Sequence, residues 1–231
     1  MSDSQPPIFT PAHDPYAALR SRDYRLFAGA GFLSVVGGQI LSITALYEVY
    51  QKTNSKMSLG WVGAALAVPM LVLALPAGHY ADHHSRRRIS VVTLLVAVVT
   101  AVALAALSHY WHDWIHSVGA IYVLLMLGNA AATFGRPART ALLPQLVPPE
   151  IFANAVTWNT SLFETASMIG PLIGGYLCAW NIAAAYLLTA ILWVVSAILL
   201  AALPELPPST PRNSRPAFAD LIAGLKFVFS T

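Results

Sequence analysis

Glu164 is the residue whose chemistry is hardest to leave unused. It lies near the middle of an apolar stretch, Ala155–Cys178, and Thr157, Ser161 and Met168 fall at helical offsets that stack them on its side. If that stretch crosses a bilayer, a charge at its centre costs about 2.5–3.5 kcal/mol, so the carboxyl has to face a cavity or a partner. Two roles fit: a proton-exchanging group in a transport pathway, or a structural glutamate bonded to a neighbouring helix. Asn159 and Thr160 could line the same cavity, although bonding between helices is the plainer reading. Gln39 sits among Gly37, Gly38 and Ser42, small residues that permit close helix approach and could leave the amide facing a pathway. Glu48 lies near the end of another apolar stretch. It reads first as a wet interfacial carboxylate and second as a pathway group.

His109, His112, Asp113 and His116 form a second cluster. A shared metal is the sharper reading, but Tyr110, Trp111 and Trp114 are interleaved with them, and an aromatic belt at a membrane interface explains the composition. No metal or cofactor is therefore expected. The sequence carries no Gly-Lys-Ser/Thr phosphate loop, so ATP is not the evident energy source, and no nucleophile–base constellation points to an enzyme.

The elements that position these residues are six apolar runs: Leu26–Tyr50, Leu59–Ala81, Ile89–Leu107, Val118–Phe134, Ala155–Cys178 and Ile182–Leu203. At 1.5 Å rise per residue, each is read as a helix able to cross a hydrocarbon layer of about 30 Å. Hydrophobic residues make up 57% of the chain and charged residues 10%. A soluble domain carries about 25% charged residues, so six such runs would leave a soluble surface badly solvated. The expected class is an all-α membrane protein whose first partner is the lipid bilayer. The net charge of +3 does not indicate nucleic acid, because the basic residues lie in short links between apolar runs. The single cysteine, Cys178, says little about compartment.

Orientation follows from those links. With the N-terminus cytoplasmic, one side holds Arg20, Arg22, Arg25, Arg86, Arg87, Arg88, Arg136, Arg139, Arg212, Arg215 and Lys226, and the other holds only Lys52 and Lys56. Basic residues gather on the cytoplasmic face, so both termini are expected inside. Three segments follow: a cytoplasmic stretch over 1–23, a six-helix bundle over 24–203, and a cytoplasmic tail over 204–231. In the tail, Pro204, Pro207, Pro208 and Pro211 preclude a continuous helix, and Phe218–Phe229 resumes the spacing of a short interfacial helix. Spans one to three and four to six have opposite topology. Pro76 and Gly78 close the second span as Pro171, Gly174 and Gly175 close the fifth, which fits two inverted three-helix repeats.

The link between the second and third spans reads Gly78-His-Tyr-Ala-Asp82-His-His-Ser-Arg86-Arg87. Its Gly78, Asp82, Arg86 and Arg87 resemble the loop signature of the major facilitator superfamily. His83 and Ser85 depart from it, replacing a basic residue and a glycine. Gly170, Pro171, Gly174 and Gly175 resemble the Gly-Pro motif of antiporters in that superfamily. The stretches "LGWVGAALAVPMLVLALPAGHYAD" and "ANAVTWNTSLFETASMIGPLIGG" are similar to the branch that contains the enterobactin exporter and related efflux permeases. The resemblance implies the N-terminal six-helix half of a secondary transporter in a bacterial inner membrane. That transporter would export small amphipathic molecules, such as drugs or siderophores, by proton exchange. It also implies that Asp82 and Arg86 act as a cytoplasmic gate latch, though Arg86–Arg88 could equally do no more than set topology. Alternating access rocks one bundle against another. The chain therefore reads as a fragment awaiting a second six-helix half, or as a half-size protein that pairs as a homodimer. The rival function is a non-transporting half-transporter serving as an assembly or regulatory partner.

The arginine asymmetry yields the first prediction. Cysteine placed at Ser85 should be shielded from an impermeant maleimide outside intact cells, and cysteine at Ser117 should be open to it. Labelling of position 85 from outside would overturn the orientation.

Overall fold

The structure, a computed structural model, describes residues 14–110 and 114–205; the side chains of Asp82 and of residues 114–116 lie outside that set. The expected interfacial helix at Phe218–Phe229, most of the Pro-rich tail, and His112 and Asp113 of the histidine cluster also fall outside it. All regular structure among the described residues is helical: α1 (Ala17–Arg20), α2 (Arg22–Thr53), α3 (Lys56–His83), α4 (Arg86–Tyr110), α5 (Trp114–Leu146), α6 (Phe152–Trp180) and α7 (Ile182–Ala201), with a 3-10 turn at Pro149–Ile151 before α6. Six of them, α2 to α7, are long and apolar enough to cross a membrane. A hydrocarbon layer offers no water to an open backbone, so each crossing segment closes its own ladder of hydrogen bonds.

Polar residues mark the turns. The Ser21 hydroxyl accepts from the Tyr24 amide at 3.3 Å and starts α2. Asn54, the one non-glycine residue with positive φ among the described residues, ends it in the left-handed conformation. Asn181 separates α6 from α7 and caps the latter by accepting from the Ala184 amide at 3.1 Å.

Two expectations need correction. The fourth span, expected to stop at Phe134, continues to Leu146. Pro137 and Pro144 lie inside it rather than ending it. Water would tolerate a break there; hydrocarbon does not, and membrane helices accept proline for that reason. Arg136 and Arg139 therefore lie on a helix, α5, and not in an irregular link. Ser117, expected in an external link, is buried in α5 and receives a hydrogen bond from the Lys52 ammonium at 3.3 Å. Asn54, at the turn between α2 and α3, is exposed and is the better labelling site.

The packing divides the bundle into two equivalent triplets, α2–α3–α4 and α5–α6–α7. The extensive contacts are α2 with α7, α4 with α5, α2 with α6, α3 with α5, and α4 with α7. Exchanging the triplets turns the first pair into the second and the third into the fourth, and leaves the fifth unchanged. The side chains at the seams repeat the same logic. On α2, Ala30 and Gly37 lie seven residues apart, facing Ser196 and Thr189 of α7, also seven apart. The Ser196 hydroxyl donates to the Ala30 carbonyl at 2.7 Å and the Thr189 hydroxyl to that of Gly37 at 3.4 Å. On α5, Gly128 and Gly135 face Thr100 and Thr93 of α4, again at seven-residue intervals. A Cβ on either glycine would come within 2.8 or 2.5 Å of the opposing hydroxyl oxygen. Small residues let the backbones approach and the hydroxyls fill the seam. The architecture is six helices in two inverted repeats, the form of one half of a major facilitator fold.

The outer faces differ in kind. On α4, Val92, Leu95, Val99 and Val102 are exposed, and on α7, Leu187, Ile191 and Ile198: aliphatic surfaces suited to lipid. Exposed aromatics lie at both ends, Trp61, Tyr110, Tyr176 and Trp180 away from the arginines and Tyr16, Tyr80 and Phe152 near them, as at the two membrane–water boundaries. Helices α3 and α6 each pack extensively against one neighbour only and are left the most open.

Candidate functional site

Helix α6 carries two unlike faces. The one toward α2 is built from small residues. Gly170 and Gly174 are buried there, and a Cβ on Gly170 would meet the Gln39 Cβ at 2.5 Å, while one on Gly174 would meet the Ile40 Cα at 3.2 Å. The two glycines of the Gly-Pro motif are thus where α2 and α6 come closest, and they bring Gln39 against the motif. Gly175 faces open space, and Pro171 sits within the helix. Asn159, half-buried, lies on the same side as buried Ala155, Ala166 and Gly170. Neither Gln39 nor Asn159 has a hydrogen-bond partner among the described residues.

The opposite face is a polar stripe. Thr157, Thr160, Ser161, Glu164 and Thr165 are all exposed. Each hydroxyl donates to the carbonyl four residues before it, at 2.8–3.0 Å, and so needs no outside partner. Glu164 has no such option. It makes no hydrogen bond or ion pair among the described residues, so the structural reading finds no partner for it inside this bundle. At the foot of the stripe lies a cavity of about 310 Å³, lined by Pro15, Ala153, Asn154, Thr157, Trp158 and Ser161. The N-terminal strap forms its wall. The Asn154 side chain and the Trp158 indole both donate to the Pro15 carbonyl, at 2.8 and 2.7 Å, and the Ala18 amide donates to Asn154 at 3.1 Å.

Glu48 is not the wet interfacial carboxylate expected. It is 1% exposed, accepts from the Tyr186 hydroxyl of α7 at 2.9 Å, and pairs with Lys52 at 2.9 Å. Nearby, the buried Cys178 thiol donates to the Thr44 hydroxyl at 3.5 Å. Cys178 and Glu164 are fourteen residues apart, about 20 Å along α6, so Glu48 and Glu164 belong to different regions.

At the arginine-rich end, Gly78 faces open space and the Asp82 side chain lies outside the described residues. Arg86 donates to the Ala141 carbonyl of α5 at 2.8 Å. Arg87 donates to the Ala201 carbonyl that ends α7, and Arg87 and Arg88 pair with Glu205 at 3.8 and 3.5 Å. Cations at carbonyl-rich helix ends complement the helix dipole, so this run stitches α4 to the ends of its neighbours.

An inverted-repeat six-helix bundle, with an unpartnered carboxylate on a polar stripe at membrane depth, belongs to the class of membrane transport proteins. Residues 27–231 match the family model of the Major Facilitator Superfamily, and the chain belongs to that family. It is 26% identical to the enterobactin exporter of Shigella boydii over 207 residues, covering 87% of this chain and 48% of that protein. It is 26% identical to the staphyloferrin A transporter of Staphylococcus aureus, covering 76% and 44%. Identity to macrolide efflux protein A of Streptococcus pyogenes is 22%, covering 81% and 46%. The chain spans about half the length of the curated relatives it matches. It is an integral membrane protein of a transporter family.

The geometry of α6 divides the Gly-Pro motif into packing and open positions. Gly170→Ala should lower stability in detergent by about 1–3 kcal/mol, because its methyl group would overlap Gln39. Gly175→Ala should be neutral or mildly stabilising. Thermal unfolding of both variants checks this; equal effects would contradict the assignment.

Proposed function

We propose that this chain is the N-terminal six-helix half of a proton-coupled exporter of small amphipathic molecules. The observation that carries this reading is the stripe from Thr157 to Glu164. An exposed carboxylate flanked by hydroxyls, halfway along a membrane helix, is costly against lipid and suited to a water-filled pathway. Three relatives, an enterobactin exporter, a staphyloferrin A transporter and a macrolide efflux protein, support the same direction. The proposed setting is the bacterial inner membrane with both termini cytoplasmic, and the proposed partner is a second six-helix half or a second copy of this chain. Gln39 and Asn159 contribute unfilled hydrogen-bonding capacity between α2 and α6, and Glu48 is the reserve candidate for coupling. Asp82 with Arg86 and Arg87 is the proposed cytoplasmic latch.

The test is Glu164→Gln in a transporter assembled from this half and its partner. Gln preserves shape and most hydrogen bonding but cannot carry the proton. Export should lose its dependence on the pH gradient, while downhill exchange of substrate survives. An unchanged pH dependence would sink the assignment to Glu164 and move attention to Glu48.

A further inference from the structure

Arg139 carries a charge that no carboxylate among the described residues neutralises. It lies on α5, seven residues before the helix ends at Leu146. Side chains on a helix lean toward its N-terminus. Here the guanidinium follows that rule: an Arg139 Nη atom lies 3.3 Å from where a Cβ of Gly135 would be, one turn back. Gly135 is about 5 Å along the axis from the middle of the thirty-residue span Ser117–Leu146.

Its protein partners are few. A guanidinium has five N–H donors. Among the described residues Arg139 uses one hydrogen bond, to the Ser34 hydroxyl of α2 at 3.2 Å, and no carboxylate pairs with it. Arg136, one turn away on the same face, is exposed and reaches only the Met70 sulfur of α3 at 3.1 Å. Arg139 and Ser34 are both half-buried, and α2 and α5 touch only lightly. Gly135, buried in the seam against Thr93, leaves room for the guanidinium to lie back along α5. Packing alone does not account for this arrangement. An arginine serving only to join two helices would be costlier than an apolar residue of similar size.

We propose that Arg139, with Arg136 and Ser34, is the binding point for an anionic group on the transported molecule. The chemical class is a carboxylate-bearing amphipathic compound, whose planar carboxylate matches the guanidinium fork. The apolar body would lie against the surrounding helices. The inference gains its meaning from the transport reading, but its test reads binding, not export, so either can fail without the other.

The test uses the full chain in lipid nanodiscs and calorimetric titration with 2-naphthoate and its neutral counterpart of similar shape, 2-naphthamide. Naphthoate should bind about tenfold more tightly than naphthamide, a difference of about 1.4 kcal/mol. Arg139→Gln should abolish that difference, Arg139→Lys should restore part of it, and Arg88→Gln at the exposed end should leave it intact. Equal affinity for the two probes in the unaltered chain would overturn the proposal, as would a preference that survives Arg139→Gln. If Arg139→Gln does not fold, Arg136→Gln and Ser34→Ala decide. Each should weaken naphthoate severalfold without changing naphthamide, and unchanged naphthoate binding in both would also refute the site.

Discussion

In a hydrocarbon layer, helices gain little by excluding water from one another; they hold together through close contact and hydrogen bonds. The seams of this bundle answer that constraint in one way, twice. Ala30 and Gly37 on α2 meet Ser196 and Thr189 on α7. Gly128 and Gly135 on α5 meet Thr100 and Thr93 on α4. In each case one helix carries small residues and the other a hydroxyl at the same seven-residue interval; Ser196 and Thr189 donate across to α2, whereas Thr93 and Thr100 donate back within α4 and meet α5 by contact. The Trp193 indole adds a 3.0 Å bond to the Ser34 carbonyl on the first seam. Because both seams use one device, α2, α7, α4 and α5 form a connected frame. The remaining two spans attach to its sides.

That frame explains where polar chemistry is available. Helices α3 and α6 each lean on one frame helix and leave the rest of their surface free. On α6 the division is sharp: Ala155, Ala166, Gly170 and Gly174 dock on α2, while Thr157, Thr160, Ser161 and Glu164 face away. A helix of ordinary amphipathic design would hide its polar face in the bundle or turn it to water. This one docks by its small residues, which frees the polar ones. The Gly-Pro motif therefore contributes to the polar stripe indirectly, by letting the other face of α6 settle tightly.

Much of this was legible in the sequence, because the bilayer reduces the choice of structure to helices of known length. The six apolar runs and the two triplets follow from composition and spacing. What misled was local. Pro137 and Pro144 imitate a helix stop, and arginines beside them imitate a cytoplasmic link, yet α5 continues through both. One signal was available: Thr133 and Thr140 back-bond to the helix around Pro137, as hydroxyls often do near membrane prolines. Glu48 was misjudged for a different reason. Its cover comes from Tyr186, 138 residues away in the chain, and no pattern within α2 announces that contact.

Three of the charges inside the spans receive three treatments, and the contrast is informative. Glu48 is enclosed and paired on both oxygens, by Tyr186 and Lys52, so its burial is compensated within the bundle. Arg139 is held at one of its donors and left open at the others. Glu164 is held by nothing among the described residues. A fold selected only for stability would compensate all three alike, since an uncompensated charge at membrane depth works against insertion. Compensation decreases from Glu48 to Arg139 to Glu164, while access increases. Glu48 stabilises the frame at the end where α2, α5 and α7 meet. Arg139 and Glu164 keep hydrogen-bonding capacity that no described side chain fills, Arg139 half-buried and Glu164 exposed. The two charges of opposite sign therefore mark where the described bundle stays open to water or to a bound group.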